Sequence, residues 1–400
     1  MTSHPPSSIF HPRRILVRGT NWLGDAVMTT PALLRLREKF PDAHIALLTS
    51  EKLRDVWANH PAINEMIAFA PGESLFSVGR KLRRSVGVSG EPPSLRSGAS
   101  RPAREYARPT GFDLALVLPN SPRSAIEPWL ARIPERIGYA RPWRNSFLTQ
   151  TVAPRPNVVK MRKRFVSEIK KLISHLPSPI SHLPSSAHQI HEYLHLVAAL
   201  GASLEPIAPQ LFLAPNEIEA AKKKFGLETL TQPILGMAPG AEYGPAKRWP
   251  ADRFIAAARE IQKRTNCIWL IFGGKNDSVI ANAIQSAIGN RQSAINLAGQ
   301  TSLRELMALL KLCRVLLTND SGPMHVAAAL GVPVVGLFGS TSPELTGPGL
   351  PGDPRHRLLK SDAPCSPCFR RECPIDFRCL TGISVESAVT AVTETTSIGS

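Results

Sequence analysis

Short apolar runs that end in a polar, glycine-bearing turn and lead into a segment of helical periodicity occur in two separate sets along this chain. That alternation narrows the fold more than any other feature. The first set reads RILVRG (14–19), TNWLGDAVMTTPALLRLREKF (20–40), HIALLTS (44–50), EKLRDVWANH, an apolar pair near Ile67, and DLALVLPNS (113–121). The second reads PILGMAPG (233–240), ADRFIAAAREIQKRT, CIWLIFGG (267–274), a helical stretch from Val279 to Ile288, and VLLTNDSGPMHVAAALGVPVVGLFGSTSPE (315–344). Strands alternating with helices imply an α/β protein with parallel, doubly wound sheets covered on both faces. Four hundred residues, 43% of them hydrophobic, suffice for two such cores. The spacing predicts an N-terminal Rossmann-like domain over 1–205 and a C-terminal one over 206–400, joined near 201–215, with ligands between the C-terminal ends of their strands. The last helix is expected to pack back on the first domain.

Two segments break the pattern and read as surface insertions, near 85–110 and 160–190. The first, within GRKLRRSVGVSGEPPSLRSGASRPAREYARPTG (79–111), is rich in Arg, Ser, Pro and Gly. The second holds the tandem ISHLPSP and ISHLPSS. Charge is concentrated in the stretch that runs from the first insertion into the second. The chain carries a formal charge of +17, and from Arg80 to Lys171 there are 20 Lys and Arg against 6 Asp and Glu. Such a stretch suits an anionic partner: a phosphorylated substrate, an acidic membrane surface or nucleic acid. At 6% aromatic residues overall, the stacking platforms of nucleic-acid binders are missing, so no nucleic-acid partner is expected. No run is long and apolar enough for a transmembrane helix and the N-terminus has no secretory signal, which predicts a cytoplasmic chain, soluble or peripheral on a membrane.

The turns carry the chemistry. In TNDSGPMH, Asp320 and Ser321 precede a short helix with Pro323 in its first turn, so either a plain cap or a phosphate cradle fits. Gly322 would let backbone approach an anion. MAPGAEYGPAKRWP (237–250) places Gly240 and Lys247 in a loop after a strand, and a lysine there either offsets phosphate charge or is simply solvated. GTNWLGD (19–25) is not GxGxxG, and Asp25 is either a helix-start residue or a base facing the cleft.

In order and spacing, RGTNWLGDAVMTTPAL, LPNS (118–121), MAPGAEYGPAKRWP, LAGQTSLRELMALL (297–310) and LLTNDSGPMHVAAALGVPVVGLFGST resemble glycosyltransferase family 9, the bacterial heptosyltransferases. The likeness covers nearly the whole chain apart from the insertions. It implies a GT-B fold, two Rossmann-like domains facing across a cleft, with acceptor on the first and donor on the second. It also implies an inverting transfer of L-glycero-D-manno-heptose from ADP-heptose onto the first heptose of the lipopolysaccharide inner core. The alternatives are a heptosyltransferase I type of reaction, another family acceptor, or a non-catalytic anion or nucleic-acid binder. The resemblance makes Asp25 the general base. Lys247, Asp320, Ser321, Gly322, His325, Gly240 and Asp277 become donor and phosphate contacts, and Asn120, Arg123, Arg141 and Arg144 candidate acceptor contacts. It further implies a phosphorylated lipopolysaccharide acceptor and peripheral attachment to the inner face of the inner membrane. No Asp-x-Asp occurs, which favours a reaction without a required cofactor and leaves Mg²⁺ dependence open.

Cys365, Cys368, Cys373 and Cys379 form C-x2-C-x4-C-x5-C, compatible with structural zinc, with reduced packing thiols or with redox pairing. His188, His191 and His195 are spaced as one partly exposed helix face.

Overall fold

The computed structural model describes residues 11–85, 111–156, 158–174, 183–289 and 293–398. Most of the arginine-rich insertion and of the tandem repeat lie outside these residues. The first sheet holds β1 (Arg14–Arg18), β2 (His44–Ser50), β3 (Glu65–Phe69), β4 (Leu114–Val117), β5 (Glu135–Tyr139) and β6 (Gln150–Val152). The second holds β7 (Ile234–Ala238), β8 (Ile268–Ile271), β9 (Ala294–Asn296), β10 (Leu316–Asn319), β11 (Val334–Phe338) and β12 (Arg357–Lys360). The strand orders are β3-β2-β1-β4-β5-β6 and β12-β11-β10-β7-β8-β9, and every pairing is parallel. Strands enclosed on both faces read as unbroken apolar runs, as β4 and β8 do.

With the first sheet go α1 (Leu23–Met28), α2 (Thr30–Lys39), α3 (Leu75–Arg84), α4 (Pro122–Leu130), α5 (Val166–Ser174) and α6 (Ile190–Ala198). With the second go α7 (Pro215–Phe225), α8 (Ala251–Thr265), α9 (Ser278–Ile288), α10 (Leu303–Lys311), α11 (Gly322–Ala329), α12 (Pro343–Thr346), α13 (Arg378–Thr381) and α14 (Val385–Ile398). No helix among the described residues is long and apolar enough to cross a membrane.

The last helix corrects one expectation. Its apolar stripe, Ala388, Val389, Ala391 and Val392, is buried with Trp249, Phe254 and Ile261, so α14 packs on α8 and on β11 and β12 of the second sheet. The reason is a matched pair of amphipathic faces within one domain. The element that crosses between domains is α5 instead: its buried Ile169 packs with Cys365 and Cys368 of the second domain.

In both sheets the order of strands reverses at a central pair, β1 and β4 in one, β10 and β7 in the other. Loops leaving those strands diverge and open a crevice, where ligands of doubly wound folds sit. The first crevice is pinned by a buried ion pair. Arg18, 1% exposed, donates from Nε to Glu127 Oε2 at 2.7 Å, and Glu127 is fully buried on α4. The same guanidinium donates to Gly19 O and Asn21 Oδ1 of the β1–α1 turn and lies 4.6 Å from the Phe69 ring centroid. Removing the carboxylate would strand a buried cation. Glu127→Leu is therefore expected to lower stability by about 3–5 kcal/mol, while Arg18→Met with Glu127→Leu recovers most of it. Urea-unfolding midpoints check both.

Candidate active site

Between the two crevices lies one cleft of about 870 Å³, lined by both domains and within the size range of small-molecule sites. It is closed at its base by α1 packing against α11. Two glycines make that contact possible. A Cβ on Gly24 would meet His325 Cδ2 at 2.7 Å, and one on Gly322 would meet Leu23 Cδ2 at 2.8 Å. The bare backbone of Gly322, expected to serve an anion, thus also makes room for the opposite domain.

Asp25 stands in the first turn of α1 and lines the cleft. Loss of hydration pushes its carboxyl up from 3.8 to about 6, against a hydrogen bond from Gln189 and the charge of Lys247, which favour ionisation, while Asp320 opposes it. Gln189 donates from Nε2 to Asp25 Oδ1 at 3.3 Å and to Tyr193 Oη at 2.9 Å. Its backbone N–H donates to Leu345 O of the second domain. One residue therefore ties the carboxylate to both domains. Nothing in the local sequence marks Gln189, which lies 164 positions from its partner.

Opposite Asp25, Lys247 donates to Asp320 Oδ2 at 2.6 Å, and Thr341 Oγ1 donates to the same oxygen at 2.5 Å. Asp320, 3% exposed, is thus the counter-ion of the lysine and not a cap. Ser321 holds the N-cap position of α11 without a side-chain cap bond; its hydroxyl is 3.3 Å from Thr318 Oγ1. The first amides of α11 are consequently not covered by a capping side chain. Asn319 fixes the lysine loop, accepting from Trp249 N–H at 3.0 Å and donating to Pro239 O at 2.7 Å.

His325 is buried and its pKa is pushed down to about 4 by burial, so near neutral pH it is uncharged and brings no cation to a phosphate. Asp277 lines the cleft with its carboxylate against Gly240, where a Cβ would come within 2.3 Å of Asp277 Cγ, and it accepts from Gly274 N–H at 3.0 Å. The acceptor candidates lie outside the lining. Asn120 is exposed ahead of α4, and Arg123 is bound to Glu127 and to Glu73 O. Arg141 donates to Ala140 O and lies over Tyr139. Arg144 is fully buried, with Nη1 donating to Pro119 O at 2.6 Å, so it braces the 119–121 loop.

All six cysteines are free thiols. Burial and neighbouring thiols raise Cys365, Cys368 and Cys379, the last to about 12. Among the described residues no group of three or more His, Cys, Asp and Glu is arranged to hold a metal ion. His188 is buried, its Nε2 2.9 Å from Gly347 O, and not on an exposed helix face.

A carboxyl that titrates high in the folded state favours the protein when protonated. Stability therefore falls as pH rises from about 4 to 6, and the cost of the charge is complete above that range. Asp25→Asn is expected to stabilise the chain by about 2 kcal/mol at pH 8, with the gain vanishing below pH 4; thermal unfolding across pH measures it.

Known proteins match this arrangement along most of its length. The profile of Glycosyltransferase family 9 (heptosyltransferase) matches residues 104–377. Lipooligosaccharide heptosyltransferase 2 of Haemophilus ducreyi is 32% identical over 343 residues, covering 84% of this chain and 86% of that protein. Lipopolysaccharide heptosyltransferase 2 of Salmonella typhimurium is 30% identical over 338 residues, covering 84% and 85%. The solved structure of E. coli ADP-heptose LPS heptosyltransferase II superposes with a TM-score of 0.71 at 25% identity, covering 96% of this chain and 99% of that one. With its family profile spanning more than half of its residues, and such identity sustained over five-sixths of its length, the chain belongs to glycosyltransferase family 9.

Proposed function

We propose that the chain transfers L-glycero-D-manno-heptose from ADP-heptose onto the first heptose of a phosphorylated lipopolysaccharide inner core, inverting the anomeric configuration. The observation that carries this reading is a carboxylate with a pKa near 6 facing a lysine and an uncapped helix start across one cleft, in a family 9 chain. The names of its relatives, heptosyltransferase 2, favour the first heptose as acceptor over the heptose-free core.

In this scheme the acceptor hydroxyl attacks the anomeric carbon from the face opposite the diphosphate. The new C–O bond forms as the bond to the diphosphate oxygen breaks, through an oxocarbenium-like state, and Asp25 takes the hydroxyl proton. Lys247 and the first amides of α11 stabilise the ADP that leaves with the electron pair. Asp277 is the acidic residue for the donor ribose. Gln189 positions Asp25 and, by donating a hydrogen bond, holds the base ionised near neutral pH. We write the reaction without a required metal because the lysine supplies the cation at the diphosphate. Asn120, Arg123 and Arg141 edge the acceptor side. The acceptor lipid places the enzyme on the inner face of the inner membrane.

ADP release measured with two acceptors tests the assignment: lipopolysaccharide ending in one heptose should turn over, and lipopolysaccharide lacking heptose should not. The opposite preference would make the reaction the heptosyltransferase I type, and no ADP release with either would remove the enzymatic reading. Asp25→Asn should reduce kcat about 10²- to 10⁴-fold and Lys247→Ala about 10²- to 10³-fold. In the wild type, kcat/KM should rise with pH through about 6, and Gln189→Leu should move that limb upward. Activity should persist in EDTA.

A further inference from the structure

The segment 158–174, which crosses from the first domain to the second, has an inner and an outer side of different chemistry. Inside, Ile169 is 1% exposed and packs with Cys365 and Cys368. Arg164 N–H donates to Cys368 O at 3.0 Å, and Arg370 Nη1 donates to Arg164 O at 3.0 Å. The segment is therefore fixed on the second domain. Outside, Phe165 is 70% exposed, Met161 44% and Leu172 37%, interleaved with the exposed Lys160, Lys163 and Lys170. Its acidic residue, Glu168, is engaged by Arg162.

We propose that this outer side is the enzyme's contact with an anionic lipid surface. The inference rests on the membrane reading given above and names the element that does the work. Apolar side chains held out of the protein by a rigid backbone gain from leaving water, and the lysines beside them gain from negative headgroups, the pairing found in helices that lie in a bilayer interface. Position selects this patch over a second one. Phe76 and Trp143, 74% and 89% exposed, sit on the first domain away from the cleft. Met161 and Lys163 line the cleft itself. A lipid-anchored acceptor seated under 158–174 would arrive at the mouth that faces Asp25. Nucleic acid fits less well, because Phe165 is the segment's one aromatic side chain.

Flotation of the full chain with phosphatidylglycerol–phosphatidylethanolamine vesicles tests this, with phosphatidylcholine vesicles as the uncharged comparison. Wild type should float with the anionic vesicles and be released by raised salt. Phe165→Ser, Lys170→Glu and Leu172→Ser together should lower the bound fraction at least about tenfold while ADP release with a delipidated acceptor stays unchanged. Phe165→Ser with Lys170→Glu serves as the milder variant if the triple change impairs folding. Phe76→Ser with Trp143→Ser should float like wild type. Undiminished flotation of the 165/170 variants, or loss only in the 76/143 variant, overturns the assignment while leaving membrane attachment in place. A wild type that never floats ends both, and tighter binding to single-stranded DNA than to vesicles removes lipid as the partner.

Discussion

The close approach of α1 and α11 is the constraint on which the rest of the site depends. Two backbones from different domains meet where neither Gly24 nor Gly322 carries a side chain, and the His325 ring and the Leu23 side chain fill the space so provided. That contact turns two separate crevices into one cleft. It also sets the protonation of Asp25, since the same closeness removes water from the carboxylate and brings Lys247 and Asp320 within electrostatic reach. A methyl group at Gly24 would act on the chemistry through geometry, by pressing on the His325 ring.

Much of the fold was legible because parallel strands buried on both faces leave an unambiguous record. ILV of β1, LALV and IWLI are continuous apolar runs, and helices of period 3.6 separate them. The loops that follow β1, β7 and β10 could be read too, since helix starts and lysine-bearing glycine loops have local chemical signatures. What escaped depends on distance along the chain. Gln189 follows the tandem repeat and meets Asp25 only through the tertiary fold. Arg144, a candidate acceptor contact by sequence, lies sealed under β5, where a Cβ on Gly138 would come within 2.6 Å of its Nη2, a burial rare for arginine and unmarked in the local sequence. The destination of α14 was equally hidden, because an amphipathic stripe says that a helix is covered and not by what.

The cysteine-rich segment illustrates a related limit of spacing as a guide. C-x2-C-x4-C-x5-C is compatible with metal ligation, with packing or with redox chemistry, and what separates them is where the side chains go. Here Cys379 joins the second domain's core and Cys365 and Cys368 grip Ile169. Cys365 and Cys368 form part of the floor on which Ile169 of α5 rests.

The Lys247–Asp320 pair carries a consequence for turnover. With the lysine parked on a buried carboxylate 2.6 Å away, and Thr341 donating to the same carboxylate oxygen, the cleft carries its own anion. In the proposed reaction an arriving diphosphate shares the ammonium with Asp320, which would moderate the grip on ADP. Once the sugar has left, the carboxylate competes for the lysine again. In the proposed reaction such a resident rival lowers the affinity for donor and for spent nucleotide alike.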